Sequence, residues 1–188
     1  TPVLPFQRGW KHLAKTLKRS LKGLYQGPTS SIYKALLLAE EVQNKFALTL
    51  RQRGSEIIEE INKTGKKSIV LVSRPYNGLD RGINLDLPRK LREMGVTPIP
   101  MDYLPLDVEG IAKSWPNMYW RYGQKILAAG QFVKRQPNLY PIYITNFGCG
   151  PDSFIITFFR EELGEKPFLL LEIDEHSADA GAITRCEA

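Results

Sequence analysis

With only two cysteines in 188 residues, the sequence has no material for a disulfide framework, which points to a reducing compartment and a cytoplasmic setting. Neither cysteine has a partner at C-x-x-C spacing, which argues against a zinc or iron–sulfur site built from this chain alone. Long apolar runs are also missing: stretches such as residues 155–159 and 168–171 have the length of a strand or of one helix face, too short to span a bilayer. No stretch reads as a secretory leader, so none is expected. The one cysteine-bearing turn, "GCGPDS", fits neither G-x-G-x-x-G nor G-x-x-x-x-G-K-S/T, so a standard dinucleotide or P-loop site is not indicated. Acidic residues are wanting in one place, residues 8–22, where Arg8, Lys11, Lys15, Lys18, Arg19 and Lys22 meet no carboxylate. Position 1 is Thr and the chain stops within "AITRCEA", a run without tail character, so a piece excised from a longer polypeptide is expected.

What is present suffices for a core, since 43 % of the residues are hydrophobic. The net charge of +6 is uneven: residues 1–66 hold 12 Lys/Arg against 5 Asp/Glu, and the remainder 14 against 15. Three blocks follow. In residues 1–28, Trp10, Leu13, Leu17, Leu21 and Leu24 recur at spacings of three and four, a basic amphipathic helix over about residues 6–26 that Gly27 and Pro28 end. Such a helix suits an anionic membrane or nucleic acid, but a docking helix with a solvated basic face is the preferred reading. In residues 29–66, Thr29, Ser30 or Ser31 offers an N-cap to a long packing helix marked by Ile32, Ala35, Leu36, Ala39, Val42 and Phe46, and resumed after Gly54 by Ile57, Ile58 and Ile61.

Residues 67–188 change period. "KSIVLVS", "VTPIPMD", "LYPIYITNF" and "KPFLLLEID" read as strands, and "NLDLPRKLREMG", "YWRYGQKILAAGQFVKR" and "PDSFIITFFREELG" as the helices between them. This alternation predicts an α/β fold: a three-layer, Rossmann-like parallel sheet of about four strands behind an N-terminal helical extension. In such sheets the ligand crevice lies beyond the carboxyl ends of the strands. The segments delivered there are "RPYNGLDRGIN", "DYLP", "NFGCG" and "DEHSADAG".

The candidate residues come from these four segments. Cys149, between Gly148 and Gly150 and ahead of a Pro151 helix start, stands where a helix dipole favours thiolate; a tight turn around an inert thiol is the alternative. The amides of Gly150, Asp152 and Ser153 are candidate anion donors. Glu175 and His176, near Asp174 and Asp179, form the candidate proton-handling pair, against which stands a solvated loop. Arg74, Tyr76, Asn77 and Asn84 are candidate crevice residues, against which stands an internal pairing of Arg74 with Asp80 that shapes the loop, the preferred reading for Asp80; Asp102 reads as a cap for the chain from Leu104 onward.

Three segments in the same order, "SRPYNGLDRGINLDLPRKLREMGVTPIPMDYLP", "NFGCGPDSF" and "EIDEHSADAGAITRCEA", resemble large multidomain activase-type proteins related to the 2-hydroxyacyl-CoA dehydratase system. The resemblance covers about residues 30–188. It implies a protein pairing an ATP-dependent activator module with regions akin to the iron–sulfur dehydratase subunits, in the electron-transfer chemistry of anaerobic metabolism. It also implies a four-iron four-sulfur cluster in the intact protein, with Cys149 where one metal ligand lies by analogy. The other ligands must come from sequence outside this chain, so the fragment alone is expected to hold no cofactor. Cys186 is expected to be a buried helix residue.

Two readings follow. In the first, this is a domain of a multidomain activator or reductase that contributes to an iron–sulfur or substrate crevice. In the second, it is a non-catalytic scaffold or interaction domain of that assembly. Expected partners are other domains of the same polypeptide or dehydratase subunits. A homo-oligomer is allowed through an apolar face left open on the first two helices. Nucleic acid is disfavoured, because only Trp10 and Tyr25 interleave the N-terminal cations.

Overall fold

The computed structural model describes residues 3–146, 150–173 and 179–187, with the backbone alone at Asp179. They divide into two compact units at Leu50 and Arg51.

In the first unit, Phe6–Arg8 makes a 3-10 turn, and Gly9, at φ 79°, separates it from helix α1 (Trp10–Ser20). The helix is therefore shorter at both ends than its apolar spacing predicts. A left-handed Gly9 breaks the entry, and the chain turns through Gly23 at φ 94° after the exit. Lys18 ties that exit back, its ammonium donating to the carbonyls of Tyr25 at 3.2 Å and Gly27 at 2.6 Å. Leu13 and Ala14 are the buried residues of α1; Lys11, Lys15 and Arg19 are exposed, and Lys18 is half-buried. Helix α2 (Thr29–Thr64) begins after Pro28 and contributes residues 29–50 to this unit.

The second unit is α/β. It begins with the C-terminal part of α2 and continues through β1 (Ser68–Ser73), α3 (Pro75–Leu79), α4 (Leu87–Glu93) and β2 (Thr97–Pro100). Then come α5 (Val108–Ser114), α6 (Arg121–Lys134), β3 (Leu139–Thr145), α7 (Gly150–Leu163), β4 (Leu169–Glu172) and α8 (Asp179–Glu187). The four strands form one wholly parallel sheet in the order β2-β1-β3-β4, with Ser68 opposite both Thr97 and Leu139, and Ile142 opposite Leu169. Parallel neighbours need crossovers, and each is helical.

Alternation along the strands sends side chains to two separate cores. Val70, Val72, Leu139 and Tyr143 face one layer with Ile126, Leu127 and Val133 of α6, Ile155 and Phe159 of α7, and Ile61 of α2. Leu71, Ile142, Ile144 and Leu171 face the other, with Leu87 and Leu91 of α4 and Cys186 of α8. The result is the three-layer, Rossmann-like arrangement that the alternating pattern predicts, helices covering both faces.

Two short helices are additions to the sequence reading. "RPYNGLDRGIN" contains α3, started by Pro75 at a position where the missing N–H costs nothing. Asp107 caps α5, its carboxylate accepting from the Gly110 amide at 2.8 Å. Asp102 does not cap the chain beyond Leu104: it lies in a 3-10 turn (Met101–Tyr103) and pairs with Lys125 at 2.9 Å.

Candidate functional site

The strand order reverses at β1. The chain leaves β1 through α3 and α4 to reach β2 on one side, and reaches β3 on the other side by way of α5 and α6. The carboxyl ends of β1 and β3 thus lie side by side, Ser73 opposite Ile144, at the topological switch point.

A buried ion pair crosses that point. Arg74, the first residue after β1, donates from Nη2 to Oδ2 of Asp152 at 3.0 Å; the Arg74 side chain is 18 % exposed and that of Asp152 is 0 %. Two hydroxyls from β3 complete the carboxylate's shell, Thr145 Oγ1 donating to Oδ2 at 2.8 Å and Tyr143 Oη to Oδ1 at 3.2 Å. The Arg74 guanidinium also lies 4.7 Å from the centre of the Tyr76 ring. A buried carboxylate is tolerable only when paired and hydrogen-bonded, and both conditions hold here. Standing in the first turn of α7, Asp152 also meets the positive end of the helix dipole. The amides of Gly150, Asp152 and Ser153 consequently share their helix start with an internal negative charge, which works against an external anion there.

The segment after β1 carries the remaining crevice candidates. Asn77, in α3, is fully buried, and neither atom of its carboxamide has a hydrogen-bond partner among the described residues. Asn84 is buried too; its Nδ2 donates to the Gly78 carbonyl at 2.9 Å while its Oδ1 is unpartnered. Gly78 lets this segment fold down on β1, because a Cβ there would stand 2.3 Å from Ser73 Oγ. Asp80 Oδ1 accepts from the amides of Gly82 at 2.9 Å and Ile83 at 3.0 Å, a local turn that leaves Arg74 to Asp152. Leu85 and Asp86 follow in left-handed conformations, φ 53° and 51°, and the buried Lys90 donates to the Leu85 carbonyl. Successive left-handed non-glycine residues cost roughly 1–3 kcal/mol each, a strain that tends to be kept beside functional loops.

An apolar rim surrounds this edge. Among the described residues from 51 onward, the exposed large hydrophobic side chains are Tyr76, Leu79, Ile83, Tyr119, Trp120 and Phe154. All six lie after β1 or at the N-terminal ends of α6 and α7, the end of the sheet where the strands finish. Tyr119, Trp120 and Phe154 form a continuous row, with ring centres 5.2 Å and 6.1 Å apart.

Sequence reasoning did not find Tyr143, Thr145 or the Tyr119–Trp120 pair. The first two were detectable as hydroxyls inside an otherwise apolar strand, "LYPIYIT". The aromatic pair precedes a helix and gives no periodic signal.

Gly148, Cys149, Glu175 and His176 lie outside the described residues. The other cysteine, Cys186, is half-buried on α8 against the second core, where burial pushes its thiol pKa up, Glu187 adding slightly and Arg185 opposing. No group of three or more His, Cys, Asp or Glu among the described residues is arranged to hold a metal ion. No helix among them is long and apolar enough to cross a membrane. An open groove of about 510 Å³ lies elsewhere, between α2 and the end of α6, lined by Ser55, Ile58, Asn62, Pro105, Phe132 and Gln136. Its charged members, Glu59 and Lys63, neutralise each other at 2.7 Å, so the switch point and not this groove holds the candidate chemistry.

Neither a curated protein nor a solved structure matches the chain. A family model matches residues 1–104, a span containing Arg74, Tyr76, Asn77 and Asn84 and stopping short of β3, Asp152 and Cys149. On that match over more than half its length, the chain belongs to the family described as the CoA enzyme activase uncharacterised domain (DUF2229).

Proposed function

We propose that this chain is a domain of a multidomain activator or reductase related to the 2-hydroxyacyl-CoA dehydratases, and that its switch-point crevice lines an iron–sulfur or substrate site in the assembled protein. The observation that carries the proposal is the Arg74–Asp152 bridge, which joins the exit of β1 to the first turn of α7. Membership of the activase-domain family supplies the biochemical setting. The unpartnered carboxamide of Asn77 and the aromatic row beside Phe154 add polar and apolar recognition elements at the same edge.

The donor set of this chain does not fit a four-iron cluster by itself. Such a cluster takes four thiolates, and of two cysteines one is packed on α8. Cys149 therefore serves as one ligand, or as part of the lining, with the companions supplied by other domains or by dehydratase-type subunits. Glu175 and His176 are the groups assigned to proton handling, and cytoplasmic, anaerobic metabolism is the setting. Iron and acid-labile sulfide, counted per chain after anaerobic reconstitution of the full-length polypeptide, test this. Iron that falls on Cys149→Ser supports the reading, and unchanged iron overturns it.

A second reading, a scaffold domain, is favoured by the closure of the bridge itself. Asp152 is fully buried and its carboxylate is held by Arg74, Tyr143 and Thr145, so it takes its partners from within the protein.

A further inference from the structure

The N-terminal half of α2 has more apolar surface than a solvated helix carries. At 100° per residue, Ala35, Leu38, Ala39, Val42, Phe46 and Thr49 fall within one stripe. All six are exposed, and the large ones strongly so: Leu38 61 %, Val42 61 % and Phe46 57 %. Glu41 and Lys45 flank the stripe on one side, both exposed, and neither has an ion-pair partner among the described residues. Residues 29–50 carry Lys34 and Lys45 against Glu40 and Glu41, so this segment has no net charge with which to select an acidic or a basic partner.

We infer that the stripe is a homodimer interface, in which α2 pairs with α2 of a second copy in antiparallel fashion about a two-fold axis near Val42. An isologous contact requires that a patch complement itself, residue i meeting j and j meeting i. This one does. Antiparallel pairing about Val42 sets Leu38 against Phe46, Phe46 against Leu38 and Val42 against Val42. The same pairing brings Glu41 alongside Lys45 of the second copy and Lys45 alongside its Glu41, two reciprocal ion pairs at the margin. A helix pair about 33 Å long falls short of the roughly 800 Å² per partner of a standard interface. The dimer accordingly forms at micromolar concentrations. The inference stands independently of the switch-point crevice.

Sedimentation equilibrium of the 188-residue chain over a hundredfold range of micromolar concentration tests it, with variants that alter exposed side chains only. The wild-type mass should double across the range. Val42→Glu should abolish the doubling. Glu41→Lys, which sets lysine against lysine, should weaken association about tenfold, and the double variant Glu41→Lys/Lys45→Glu should restore it. A chain that stays monomeric, a dimer indifferent to Val42→Glu, or a charge swap that fails to restore association overturns the inference. The second of these results would direct attention to the aromatic row at Trp120.

Discussion

Asp152 bears the largest single consequence at the residue scale. Its carboxylate collects a guanidinium and two hydroxyls away from water. Removing it takes a buried carboxylate partner from Arg74, Tyr143 and Thr145 together. Breaking a buried pair from one side costs about 3–5 kcal/mol. Asp152→Ala should therefore lower the unfolding free energy by about 3 kcal/mol in urea titration; a loss below about 1 kcal/mol would mean that water already satisfies the network. Cys186 gives a second test at this scale. Burial disfavours its thiolate, so alkylation at mildly alkaline pH should be slower in the folded chain than in the urea-unfolded chain, as read by mass mapping. The sign for stability follows: a raised thiol pKa contributes stability below the ordinary thiol value, and that contribution is lost as pH rises through the raised one. Equal labelling rates in the two states would contradict the packing of α8 against the second core.

Helix α2 passes close to the turn that follows β2, and Gly54 is where the two meet. A Cβ there would lie 1.8 Å from the Tyr103 carbonyl oxygen, a backbone atom that cannot swing aside. Two effects compete in Gly54→Ala. Helix propensity favours alanine by about 1 kcal/mol, while overpacking costs about 1–3 kcal/mol. With backbone as the obstacle, the clash wins, and the variant should melt below wild type. A raised melting temperature would show that α2 stands off from residues 101–103. The elements also show what periodicity can and cannot reveal. The four strands and the helices α4, α6 and α7 were legible because buried runs and amphipathic stripes alternate in "KSIVLVS", "KILAAGQFV" and "FIITFF". α3 and α5 were not: α3 spans 5 residues and rests on Pro75, and α5, with Gly110 in its interior, rests on the Asp107 cap. The expected continuous helix over residues 6–26 failed because Gly9 and Gly23 adopt left-handed backbone that apolar spacing does not report.

In the molecule as a whole, topology does what local sequence cannot. Arg74 and Asp152 are separated by 78 positions, and nothing in either neighbourhood announces the other. Their meeting follows from the placing of β3 beside β1, which sets both strand exits at the switch point. The position of the switch point was readable from the strand alternation. Its wiring was not, since the natural guess for Arg74 was the nearby Asp80, whose carboxylate is instead occupied by the amides of its own turn. The basic N-terminal unit and the near-neutral α/β unit likewise differ in what they offer, a charged helix and an apolar stripe on one and a buried ion pair with exposed aromatic side chains on the other.

The central claim is that the crevice lends Cys149 to a site completed by other parts of the assembly. Iron and acid-labile sulfide in the full-length protein, reconstituted anaerobically with Cys149→Ser and Cys186→Ser side by side, test it most directly. The account predicts loss of iron in Cys149→Ser alone, with Cys186→Ser retaining the wild-type content. Equal iron in both variants, whether kept or lost, would contradict it.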